Sequence, residues 1–262
     1  MHFTRRGKGR PVLLIHGLGS DARSWDTISD GLVVEREIIA VDLPGHGASP
    51  PEPDSDSFDG LVRSTKQFLE TTGLVGIDVA GHSLGARIAL ELSRQGSVGA
   101  VVALDPGGFW RGWELFYFWA TTFVSIRVLR AIGFFVPALS ANIVTRTLLL
   151  GQLSARPWAL QPDAVSRQLQ SLIATKNFDA LLRDHNRGVR QTGPAHVRSG
   201  PVTIGWGRQD RLCLPMQAAR AQQAFPAAEL HWFEACGHFP MWDQPDETVA
   251  LILHATRERR VG

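Results

Sequence analysis

Gly81-His82-Ser83-Leu84-Gly85 sits where an apolar strand pattern from Leu74 to Ala80 gives way to a helical one from Leu84 to Gln95, and few local sequences restrict a fold more. A strand that turns into a helix within five residues leaves no room for a Cβ at either flanking glycine, because the two elements close on one another there. The turn strains the backbone at Ser83 and lifts its hydroxyl clear of the sheet. It also places the unpaired N–H groups of the helix start beneath the point where an anion would form. The same residues suit a plain glycine-rich turn with Ser83 as an N-cap. The stretch reads as a nucleophile elbow because three other segments supply the partners such a serine requires.

Val12-Leu13-Leu14-Ile15 is short, β-rich and uncharged, as expected of a strand buried on both faces, and His16-Gly17-Leu18-Gly19 follows it. The glycines let the backbone approach a ligand, so the N–H of Leu18 can join that of Leu84 as a pair of oxyanion donors. Asp210 ends Gly205-Trp206-Gly207-Arg208-Gln209-Asp210, just past the strand Pro201 to Ile204. His238 lies in Cys236-Gly237-His238-Phe239-Pro240, after the strand Glu229 to Phe233 and before a terminal helix from about Asp246. A hydroxyl is a poor nucleophile until a base takes its proton. His238 is the expected base, and Asp210 the carboxylate that fixes its tautomer. Asp105, after the strand Val98 to Leu104, is the weaker candidate acid, since Asp before Pro is a common turn device. Gly17, His16, His82 and Phe239 are expected to face substrate, although His16 and His82, like His46, also suit a bracing role.

With Val41-Asp42-Leu43-Pro44-Gly45-His46-Gly47-Ala48-Ser49 added, the chain resembles the α/β-hydrolase family, in its cap-bearing, esterase-like branch, over nearly its whole length. The resemblance implies an α/β fold: an eight-stranded, mostly parallel sheet flanked by helices, with a helical cap after the sixth strand. On that reading residues 1–106 and 200–262 form the core and 107–199 the cap. Only Met1 to Arg10 precede the strand at Val12, so the first two strands are shortened or the first is absent. The expected activity is cleavage of an apolar carboxylic ester or thioester through an acyl-enzyme, with no metal or organic cofactor. Carbon–carbon bond hydrolysis, lactone opening, acyl transfer and cofactor-free perhydrolysis use the same triad, and a ligand-binding receptor on this scaffold is the reading from another class. A serine at the elbow argues against epoxide and haloalkane hydrolysis, where the family uses Asp, and Tyr117 alone cannot supply paired cap tyrosines.

Composition sets further limits. With 262 residues, 44% of them apolar, the chain can bury one sizeable core. The formal net charge is only +2, and the arginine clusters at Arg5-Arg6 with Arg10 and at Arg257 with Arg259-Arg260 read as solvated tails, so nucleic acid is not an expected partner. Cys213 and Cys236 are expected as free thiols on neighbouring loops, and the lack of a signal-like start gives a cytoplasmic expectation. No pair of histidines at helical spacing with a Glu indicates zinc. The segment Phe109 to Trp119 is dense in aromatics, of which Trp110, Trp113, Phe116 and Tyr117 are expected to reach the pocket. The charge-free runs Leu115–Ile126 and Ala131–Thr145 fall short of the roughly 18 to 20 residues that span a bilayer. Peripheral membrane contact through the cap therefore stands beside packing and substrate binding as a use for this surface.

Overall fold

The computed structural model describes residues 1–257, among which seven strands form one sheet. They are β1 (Phe3–Gly7), β2 (Arg10–Ile15), β3 (Arg36–Val41), β4 (Asp78–His82), β5 (Val101–Leu104), β6 (Val202–Gly207) and β7 (Glu229–Phe233), in spatial order β1-β3-β2-β4-β5-β6-β7. Every pairing is parallel except β1 with β3, which is antiparallel. The short start expected from the sequence is thus one edge strand. Arg5 and Arg6, expected in a solvated tail, lie on that strand and pair across it with Glu37 and Asp30, while Arg10 opens β2 and pairs with Asp78. Arg259 and Arg260 lie outside the described residues.

The middle strands β4, β5 and β6 are buried along their whole length, which is why they read as continuous apolar or small-residue runs rather than alternating ones. The helices that cover them are α1 (Asp26–Leu32), α2 (Phe58–Thr71) and α3 (Leu84–Arg94) before the insertion, and α9 (Ala218–Ala224), α10 (Pro240–Asp243) and α11 (Pro245–Ala255) after it. Ser57 caps α2 through the N–H of Gly60, so the Pro- and Asp-rich loop ends where a capping serine lets it. Two apolar clusters fill the two faces of the sheet, one holding Leu13, Val79 and Ile88, the other Leu14, Trp25 and Ile252.

Between β5 and β6 lie α4 (Trp113–Ala131), α5 (Val136–Ala141), α6 (Ile143–Leu150), α7 (Pro162–Ala174) and α8 (Phe178–His185). They share a third apolar cluster of their own, built on Phe118, Ile126, Leu129, Leu169 and Phe178. Ser20 and Gln168 tie α7 to the loop after β2, Oγ donating to Oε1 at 2.8 Å. Asn177 donates to the carbonyls of Pro44 and Ser55, tying the start of α8 to the loops after β3. The cap is therefore anchored on the rim of the sheet.

Candidate active site

Ser83 occupies the turn between β4 and α3 with φ 53° and ψ −113°, a conformation L-residues avoid. The flanking glycines explain how it is held: a Cβ on Gly81 would stand 2.3 Å from the carbonyl oxygen of Gly85, and one on Gly85 would stand 2.1 Å from that of Ile15. Both obstacles are backbone and cannot swing aside. Strand and helix are thus pressed together so closely that the chain turns through an unfavourable φ at the serine.

His238 and Asp210 form a buried pair, Nδ1 to Oδ2 at 2.8 Å, with side chains 2% and 0% exposed. Asp210 Oδ1 accepts the N–H groups of Leu212 and Cys213, which fixes the carboxylate from its other side. With Nδ1 committed to Asp210, Nε2 is the imidazole nitrogen left for chemistry, and Ser83 and His238 line the same cavity. His82 Nε2 donates to the carbonyl of His238 at 2.6 Å, bracing the loop that carries the base. Burial, then the neighbouring His238 and His16, keeps the His82 imidazole well below its usual range and so neutral.

His16 was expected among substrate-facing residues, and the structure assigns it elsewhere. It is fully buried, outside the cavity lining, accepting the N–H of Leu43 at Nε2 (3.0 Å) and donating from Nδ1 to the carbonyl of Gly17 (2.7 Å). That carbonyl belongs to the same planar peptide as the N–H of Leu18, and in a trans peptide the two point in opposite directions. The histidine therefore sets the direction of a candidate oxyanion donor. Among the described residues neither the Leu18 N–H nor that of Leu84 donates to another protein group, and both residues stand beside Ser83.

The cavity measures about 330 Å³. Gly17, Leu18, His82, Ser83, His238 and Phe239 form its core side. The aromatic residues named for the cap side are not there. Trp110 is buried one layer behind, stacked on Phe118 at 5.6 Å and near the Arg87 guanidinium. Trp113 and Phe116 point to solvent, 61% and 67% exposed, and Tyr117 spends its hydroxyl on the carbonyl of Arg211. The cap wall is built instead by Phe118, Thr122, Ile126 and Leu129 of α4, with Leu169, Leu172 and Phe178 of α7 and α8. The spacing 118, 122, 126, 129 is one helical face. Because α4 is apolar on every side, its sequence does not mark this face, and aromatic density points instead to the stretch Trp110–Tyr117.

Asp105 is the other residue whose place the sequence concealed. It is fully buried at φ 46°, its Oδ1 accepts the N–H of Gly207 at 2.8 Å, and its other oxygen has no hydrogen-bond partner among the described residues. Burial, then the charge of Asp210, pushes its carboxyl well above the usual range. Asn keeps an acceptor for the N–H of Gly207 and Ala does not. Asp105→Asn is expected to retain most turnover. Asp105→Ala leaves the buried N–H of Gly207 unpaired, which should lower kcat roughly 10- to 100-fold and reduce stability by about 1–3 kcal/mol, as steady-state kinetics and thermal unfolding would report.

Cys213 and Cys236 are free and buried, so no disulfide joins them. Ligand atoms of Asp210, Cys213 and His238 come within 4.8 Å of one another. This cluster has a simpler account than a metal centre. Burial and the charge of Asp210 hold the Cys213 proton firmly on sulfur, and the facing atoms of Asp210 and His238 are bonded to each other.

A mostly parallel sheet that delivers a strained serine and a buried Asp–His pair to one rim is the architecture of hydrolases. The chain belongs to the alpha/beta hydrolase family, whose sequence profile matches residues 12–251. Among its relatives is the dihydrolipoyllysine-residue acetyltransferase component of the acetoin cleaving system of Cupriavidus necator, 29% identical over 96% of this chain, which spans 65% of that relative's length. A 2-hydroxy-6-oxononadienedioate/2-hydroxy-6-oxononatrienedioate hydrolase of Escherichia coli is 28% identical over 97% of this chain and 90% of its own. In fold, the chain is similar to a thermophilic esterase from Thermogutta terrifontis, with a TM-score of 0.76 and 19% identity over 97% of this chain and 91% of that one. The protein is accordingly a hydrolase of this fold.

Proposed function

We propose that this protein is a serine hydrolase of neutral, apolar carboxylic esters. One observation carries the reading: Ser83 and His238 lie on a cavity whose described lining contains no Lys, Arg, Asp or Glu. The Escherichia coli relative is named for a dioate, and a substrate with two carboxylates needs cations to replace its lost hydration. This cavity offers none, which favours an uncharged acyl group over a dianionic carbon–carbon bond substrate.

In the proposed reaction Ser83 Oγ attacks the carbonyl carbon while its proton passes to His238 Nε2, and Asp210 stabilises the imidazolium so formed. The carbonyl oxygen, now anionic, takes the N–H groups of Leu18 and Leu84; losing one such donor costs about 10²–10³ in rate. The carbon–oxygen bond to the leaving group then breaks, and the alcohol departs with the proton from His238. Water gives a proton to His238 and attacks the acyl carbon, and Ser83 Oγ leaves carrying that proton as the acid is released. No other group is required.

The apolar wall sets a chain-length expectation. Each methylene moved from water into the cavity is worth about 0.8 kcal/mol, roughly fourfold in kcat/KM, until the space is filled. Across a series of aryl esters, kcat/KM should rise from acetyl to medium-chain acyl groups before levelling. A flat or acetyl-favouring profile would remove the case for an apolar substrate.

A further inference from the structure

The cap displays apolar surface far beyond what its packing uses. Among the described residues, ten of the sixteen large apolar side chains left exposed fall between Trp113 and Trp158. They culminate where α4 bends by 74° into the segment Gly133–Ala141, with Phe134 at that corner 90% exposed and Phe135 beside it 59% exposed. No single described helix is long and apolar enough to cross a membrane; α4 and the segment Gly133–Ala141 reach that length and composition only as a bent pair. Soluble proteins rarely leave so contiguous a patch bare without a use.

Two features decide what covers it. The first is charge: the one carboxylate between Arg111 and Arg156 is Glu114, which is buried and paired with Arg220. On the side of α4 facing α8, Arg127 and Arg130 share the single acid Asp179, leaving net positive charge. An apolar face with arginine and no exposed acid of its own is complementary to anionic lipid headgroups over acyl chains. The second is continuity with the cavity: Val124, Val128 and Leu148 stand exposed on this face and also line the cavity that holds Ser83. A second copy seated on the face would stop the mouth, whereas a bilayer would feed it.

We propose that the face formed by α4, the Phe134–Phe135 corner and α6 docks on an anionic lipid bilayer, and that an acyl chain passes from the bilayer between Val124, Val128 and Leu148 to Ser83. The docking half stands on the surface alone; the passage half rests on the ester-hydrolase reading. Phe134 and Phe135 lie outside the cavity lining, so the double substitution Phe134→Ser/Phe135→Ser tests the face without touching the chemistry.

The Ser83→Ala protein should co-sediment with vesicles of phosphatidylcholine and phosphatidylglycerol, and more weakly with phosphatidylcholine alone. Adding the double substitution should weaken binding by about tenfold or more. In the Ser83 protein the double substitution should slow turnover of a vesicle-embedded ester while leaving a soluble short-chain ester unaffected. Absence of vesicle binding overturns the proposal. So does a concentration-dependent dimer, seen by sedimentation velocity, that the double substitution abolishes, since the occupant is then a second copy. If vesicles bind and no ester of either kind is cleaved, the ester-hydrolase reading fails and docking survives.

Discussion

Ser83→Ala is expected to lower kcat for a medium-chain aryl ester by roughly 10⁴- to 10⁶-fold, with thermal stability unchanged or slightly raised. Members of a triad act as a unit, so loss of the nucleophile forfeits nearly everything the base and acid contribute, leaving only binding and the oxyanion donors. Stability should change little, since the hydroxyl makes no hydrogen bond to another described group and the strained φ of 53° at this position remains. A fluorophosphonate probe read by intact mass should add one phosphonyl group to the native protein and none to the variant. Esterase activity that survives the substitution, or a label that lands on another residue, would move the nucleophile elsewhere.

Acid should unfold this protein at a milder pH than its carboxylates alone would dictate. Burial holds the imidazole of His46 down to about 3 and, with the Arg87 charge added, that of His185 down to about 4, and it keeps His82 well below its usual range. In the unfolded chain the same rings take up protons near pH 6.5. Between those limits the unfolded state binds more protons, so each histidine contributes stability that is present above pH 6.5 and lost as the pH falls, at about 1.4 kcal/mol per pH unit. Asp105 works in the opposite direction. Its raised value means that stability is full below the ordinary carboxylate range and lost as the pH rises through it, cancelling one histidine in this window.

Four lowered histidines, His16 among them, stand against the raised carboxyls of Asp105, Asp78 and Asp26, and the expected net result is stability that falls with pH below about 6. Against a fold stability of about 5–15 kcal/mol, even one uncompensated histidine's share is a substantial loss over a few pH units. Denaturant midpoints measured from pH 7 to 4.5 would report the slope, and His46→Asn, which keeps a donor for the carbonyl of Pro44, should reduce it by about one histidine's share. Constant stability across that range would mean that these rings are not held neutral.

The sheet and the rim were readable because their determinants are local. Val12–Ile15 and Val98–Leu104 are apolar without alternation, as strands covered on both faces must be, and each stops at a turn residue that the chemistry then uses. The edge strand β1 escaped notice for the converse reason: all five of its residues are exposed, so no buried face imposes a pattern on Phe3–Gly7. Asp105 could be judged only as Asp before Pro until β5 was known to lie beside β6, with Leu104 opposite Gly205, which carries the carboxyl to Gly207 and Asp210. In the cap the difficulty was of another kind. Helix α4 is apolar on all sides, with Phe116, Phe118 and Ile126 meeting solvent, cap core and cavity in turn. A one-faced stripe tells which side is inside, but a helix greasy all round leaves that decision to tertiary packing.

Phe118, Ile126, Leu129, Leu169 and Phe178 belong at once to the apolar cluster that consolidates the cap and to the wall of the cavity. The same side chains therefore serve the interior of the cap and the cavity at once. On the ester-hydrolase proposal, an acyl chain bound there would pack against the same side chains that hold the cap together, as a further residue of its interior would. Cap cohesion and substrate binding would then draw on one set of apolar contacts, so a substitution at Ile126 or Leu169 would be felt in both.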